Sequence, residues 1–166
     1  MWRKAIICIA IIVSTGCISV HRTVIMDGTD KRIPIKDITL FNPRDRIIAE
    51  KSLILIGRID SNQIYPFLPE RLFWANLGKE YSGMTVGHLT KSIYIDRKTV
   101  LLDRNDPLEW LHFGALLSHE LHHYFHDSSD PETGKITNEA IYKKIAQDED
   151  LLRNYSRWWK EVKESR

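Results

Sequence analysis

One stretch constrains this chain more than any other: Ser118-His119-Glu120-Leu121-His122-His123-Tyr124, which contains the pattern His-Glu-x-x-His. The pattern has chemical use only on a helix. There His119 and His123 stand one turn apart on the same face, about 6 Å along the axis. Two imidazoles at that spacing can reach one tetrahedral Zn²⁺ through bonds of about 2.0–2.1 Å. Glu120 follows the first of them and points beside the metal. From there it can take a proton from a zinc-bound water, the general-base role the motif implies.

The preceding residues allow such a helix. Pro107 to Leu117 lead into the motif without a breaker, Asp106 can cap, and Pro107 suits the first helical position. Trp110, Phe113, Leu117, Leu121 and Tyr124 recur at spacings of three and four and form one apolar face. Neighbouring rows carry His112, Ala115, Leu116, His119, His123 and His126. A helix over 107–126 is therefore expected, with the ligands on its flank. The bland alternative is a core-packed helix whose histidines are solvated and bind nothing.

His119, Glu120 and His123 so placed resemble the zincin metallopeptidases. The resemblance rests on a five-residue motif in a chain of 166. It implies a small α+β zincin-like domain, with an antiparallel or mixed sheet packed beside the motif helix and a C-terminal helix. The strand pattern agrees with it. Met84 to Gly87 and Ser92 to Ile95 read as strands, Asp96-Arg97 as a turn, and Lys98 to Leu102 as the returning strand. In zincins one strand edges the cleft and pairs with the extended backbone of the substrate. By resemblance, Ile93 to Ile95 or Thr99 to Leu101 would do so; an ordinary core strand is the alternative.

Elsewhere, Thr23 to Met26 and Arg32 to Ile35 flank Asp27-Gly28-Thr29-Asp30 and read as a hairpin, extended by Ile38 to Phe41. Pro34 would put the second strand at an edge. Asn42-Pro43-Arg44-Asp45 has helix-start chemistry, with a helix to about Ala49 or Ser52. Leu53 to Gly57 then reads as a short strand and Pro69 to Ala75 as a short helix. After the motif, Asp127 to Lys135 is a polar loop. A last helix is expected from Thr137 or Asn138, with Ile141, Ile145, Leu152, Tyr155, Trp159 and Val162 on its stripe. Asp148 falls within that stripe, as a boundary residue, a partner to a ligand histidine or an exposed break.

The N-terminus reads as a processing segment. Arg3 and Lys4 precede nine apolar residues, Ala5 to Val13, where a membrane span needs about 20. Ser14-Thr15-Gly16-Cys17 resembles the lipobox of bacterial lipoprotein signals, with Ser14 where that pattern prefers an aliphatic residue. The resemblance implies a signal over 1–16 and a mature domain over 17–166. A lipid on Cys17 would then tether the protein to a membrane of the bacterial cell envelope. A secretory signal without lipid is the alternative and would release the protein. Cys8 and Cys17 are the two cysteines, so the mature domain has no disulfide of its own. Without Arg3 and Lys4, 22 basic residues face 22 acidic ones, a balance that leaves no nucleic-acid footprint.

A catalytic zinc takes three protein ligands and leaves one position for water. His126 lies about 10 Å along the axis from His119. Zincins that use a third histidine there insert a glycine, where this chain has Tyr124-Phe125. Asp127, Asp130 and Glu132 reach the metal only if their loop folds back. Asn138-Glu139-Ala140 resembles the Asn-Glu of the thermolysin-like gluzincins, in which a glutamate on the following helix completes the site. That resemblance implies Glu139 as third ligand. The gap of fifteen residues after His123 is shorter than in that group, and Lys143 stands where the group has an orienting aspartate. Glu139 as a plain first-turn acid is the alternative.

The expectation is a zinc-dependent hydrolase, a membrane-tethered metallopeptidase acting on a peptide or protein substrate. Oxyanion help would come from Tyr94, His112 or His88. A zinc-stabilised binding lipoprotein without turnover is the second reading, and metal handling by His112 through His126 the third. Glu120 favours hydrolysis, because a purely structural site needs no base.

Overall fold

Period-two alternation in the segment Leu72–Asn76 sends Leu72 and Trp74 to one face of a sheet and Phe73 and Ala75 to the other. The computed structural model describes residues 22–25, 32–79, 81–87, 90–100, 106–126, 141, 144–145 and 147–165, with the backbone alone for 22–25 and Arg32. Its sheet has five strands: β1 (Arg22–Ile25), β2 (Arg32–Leu40), β3 (Leu72–Asn76), β4 (Gly83–Val86) and β5 (Ser92–Asp96), in the order β1-β2-β3-β5-β4. Neighbours run antiparallel except β3 and β5, which are parallel. The sheet is mixed and the fold α+β, as expected.

One face carries the main core. Leu72, Trp74, Ile93 and Ile95 pack there against two helices, α1 (Pro43–Ile59) and α2 (Pro107–His126). The opposite face carries a smaller cluster of Ile35, Ala75, Leu77 and Tyr94. Three local expectations are corrected. Pro69 to Ala75 is not a helix, because Leu72, Phe73 and Trp74 serve a two-faced strand, and large aromatics favour that pleated setting. Leu53 to Gly57 is not a strand but the second half of α1. Its buried residues Ile48, Ser52, Leu55, Ile56 and Ile59 keep helical spacing, while Ile54 points to solvent at 52% exposure. Among the described residues no returning strand follows β5: residues 97–99 form a turn, and β5 already has β3 and β4 on its two sides. Residues 101–105 lie outside the described ones.

The first hairpin is present as β1 and β2. Strand β2 is internal, contrary to the edge expected from Pro34. Its pairing with β3 starts only at Lys36, opposite Asn76, so Pro34 lies past the end of β3 and is locally at an edge.

Helix α2 spans the expected residues. The Asp106 carboxylate accepts from the Leu108 N–H at 2.8 Å. Gly114 lets α1 and α2 cross closely: a Cβ there would lie 2.8 Å from the Ser52 carbonyl oxygen and 2.8 Å from Ile56 Cγ1. The last helix, α3 (Glu149–Glu164), begins later than the stripe suggested. Ile141, Lys144 and Ile145 are helical, Gln147 is in a turn, and Asp148 caps α3 by accepting from the Leu151 N–H at 2.9 Å. Asp148 is thus a cap and not a partner to a histidine. The restart also breaks the stripe, leaving Leu152 44% exposed while Tyr155, Trp159 and Val162 are buried. Helix α3 steadies the start of α2 through Tyr155, whose hydroxyl donates to the Pro107 carbonyl at 2.7 Å, and through Trp159, edge-on to Trp110. No described helix is long and apolar enough to cross a membrane. The signal segment 1–16 and Cys17 lie outside the described residues.

Candidate metal centre

The histidine pair sits where the spacing put it. His119 Nε2 and His123 Nε2 are 3.2 Å apart, on rings that are half-buried. Two nitrogens each about 2.05 Å from one tetrahedral ion lie about 3.3 Å apart. The separation therefore matches that of two ligands on one zinc. Among the described residues no third His, Cys, Asp or Glu joins it to make a set of three. Glu139, the expected third ligand, lies outside the described residues, as do Asp127, Asp130 and Glu132. His126 is described, at the exposed end of α2.

Glu120 faces β4. The residue is almost fully buried, at 3% exposure. The Thr85 hydroxyl stands 2.8 Å from Glu120 Oε2 and 2.9 Å from the Glu120 backbone oxygen, and donates its single proton to that pair of acceptors. Gly83 lies against the other side: a Cβ there would come within 2.6 Å of Glu120 Oε1 and 2.9 Å of its Cγ. Residues two apart on a strand share a face. Gly83 and Thr85 thus present one cradle to the glutamate, while Met84 and Val86 turn to the smaller cluster behind the sheet.

Two further contacts fix the helix turn that carries the motif. Ser118, fully buried, donates its hydroxyl to Gln63 Oε1 at 2.7 Å, and the Tyr65 hydroxyl donates to the Ser118 carbonyl at 3.0 Å. Burial pushes the Tyr65 phenol above its usual 10.0, with the Ser118 side-chain hydroxyl opposing and the charge of Asp60 adding to the rise. Tyr65 is thus a neutral donor across the physiological range. At the other end, Lys91 donates from Nζ to the Tyr124 carbonyl at 2.6 Å and to the His123 carbonyl at 3.4 Å. Those carbonyls belong to the last described turn of α2, where a cation suits the helix dipole.

The other expected contributors stand elsewhere. Tyr94, 2% exposed, stacks on Phe73 behind the sheet at 5.3 Å between ring centroids, turned away from α2. His112 is seven residues before His119, about 10 Å along the axis, and His88 lies outside the described residues. Strand β5 is internal, so Ile93 to Ile95 cannot offer a free edge; β4 occupies that edge. Thr85, Gly83 and Lys91 carry no motif. A strand over 84–87 is legible, one residue off the observed 83–86, but nothing in its residues says which helix position they meet. Comparison with known proteins gives no match, whether to a protein family, to a curated protein or to a solved structure.

Proposed function

We propose that the chain is a zinc-dependent peptidase, tethered to the bacterial cell envelope by a lipid on Cys17. The observation that carries this reading is the 3.2 Å separation of the His119 and His123 Nε2 atoms, with Glu120, next in the chain to His119, held by β4. Bound zinc supplies a Lewis acid and lowers the pKa of a water it holds. His119 and His123 would hold the ion, with Glu139 as the third ligand that the resemblance implies. Glu120 accepts the proton of the attacking water and passes it to the leaving amine. Strand β4 supports peptides as the substrate class. It has β5 on one side and, among the described residues, no neighbour on the other. Its outer backbone groups suit an added extended strand, laid beside the base.

The test is metal analysis of the purified chain followed by a broad peptide-library cleavage screen. Zinc with cleavage supports the peptidase. Zinc without cleavage leaves the non-catalytic, zinc-stabilised binding lipoprotein. Glu139→Gln is expected to weaken zinc affinity about tenfold or more, while Glu132→Gln and Asp130→Asn change it little. Competition with a chelating dye checks this, and the reverse order would move the third ligand into the loop.

Gly83→Ala separates stability from chemistry. The added methyl meets Glu120 at Oε1, Cγ and Cδ, so the buried side chain must shift and the melting temperature should fall by about 2–4 °C. Yet the carboxylate must move, and a misplacement of about 1 Å can cost about 100-fold in rate. Calorimetry and peptide cleavage on the same sample read the two effects. A full-rate Gly83→Ala variant would place the working position of Glu120 away from β4.

A further inference from the structure

We propose that Thr85 is a positioning residue for Glu120, its hydroxyl aiming the carboxylate of the base. The purpose of this device rests on the peptidase reading above; the device itself rests on geometry. Thr85 Oγ1 serves two acceptors of one residue, Oε2 at 2.8 Å and the backbone oxygen at 2.9 Å. It thereby ties the tip of a long side chain to its own stretch of helix. A free glutamate has several rotatable bonds, and the tie removes most of that freedom. The second carboxylate oxygen lies over the bare Cα of Gly83. One oxygen is thus gripped by the Thr85 hydroxyl, and the other lies in space that a Cβ at residue 83 would fill. Because Glu120 is 3% exposed, bulk water is a poor substitute for the hydroxyl if it is removed.

The position of Thr85 adds a consequence. Strand β4 turns one face to Glu120 and leaves one edge without a strand among the described residues. A peptide paired to that edge would lie on the strand that aims the base. Substrate register and base direction are then set by the same four residues, Gly83–Val86.

Two substitutions test this. Thr85→Val keeps the shape and removes the hydroxyl; Thr85→Ser keeps the hydroxyl. Each is measured for zinc affinity and for kcat and KM on one cleaved peptide. Each is also measured for melting temperature, alone and with Glu120→Ala. Thr85→Val is expected to bind zinc and to keep KM within about twofold of the parent, while kcat falls about 30-fold or more. Thr85→Ser is expected to recover kcat to within about threefold. Thr85→Val should lower the melting temperature by about 4 °C in the parent and by less than about 1 °C when Glu120 is Ala. A kcat unchanged by Thr85→Val overturns this proposal alone, even with the thermal coupling present, and reduces Thr85 to a structural contact. Equal kcat losses in Thr85→Val and Thr85→Ser overturn it as well. A parent chain that takes zinc and cleaves nothing overturns the peptidase reading and this proposal together.

Discussion

Glu120→Gln is expected to keep its zinc and its melting temperature while peptide hydrolysis falls by about 10²–10⁴-fold. The amide has the shape of the carboxylate and its oxygen still accepts from Thr85, so the cradle of Gly83 and Thr85 stays filled. What is lost is the capacity to take a proton. His123→Ala is expected to act differently. It removes one of the two nitrogens that stand 3.2 Å apart, and a single histidine with a carboxylate is a poor zinc site. Zinc affinity should drop by at least about 100-fold, and hydrolysis with it. Zinc content after dialysis, circular dichroism and a cleavage assay on both variants read the two losses apart. Unchanged hydrolysis in Glu120→Gln excludes Glu120 as the base.

Gly114→Val is expected to lower stability by about 3 kcal/mol, because the side chain has no room. A Cβ at Gly114 would sit 2.8 Å from the Ser52 carbonyl oxygen, an atom of the α1 backbone that cannot rotate aside. The two helices must separate, which loosens the core that Ile56 of α1 shares with Phe113 and Leu117 of α2. For a domain of this size that is about 6–12 °C in melting temperature. Gly114→Ala should cost less, since alanine regains about 1 kcal/mol of helix propensity. Thermal melts of the two variants check the order. An Ala variant more stable than the parent would mean that the α1–α2 crossing yields freely.

What could be read from the sequence follows local physics. Helix α2 was legible because Asp106 and Pro107 start it and an unbroken pattern carries it to the last histidine. The His119–His123 pair was legible because its geometry depends only on helical pitch. Leu53 to Gly57 was not, since a short apolar run suits a buried strand and a helix equally until its partner is known. Leu72 to Ala75 failed for the opposite reason: Pro69 resembles a helix start, and only the sheet neighbours β2 and β5 make the segment a strand. Asp148 looked like a flaw in one long stripe, and is the cap of a second helix. The cradle around Glu120 was beyond sequence reasoning, because Gly83 and Thr85 meet it across 35 residues of chain or more.

The central claim is that His119, His123 and Glu120 form a hydrolytic zinc centre. A hydrogen bond between the two rings would give a similar separation, so zinc itself must be measured. The direct measurement is the zinc content of the purified chain after dialysis, beside that of the His119→Ala/His123→Ala variant. Stoichiometric zinc is expected in the parent and none in the variant. A parent that folds and retains no zinc, or a variant that retains as much as the parent, would contradict it.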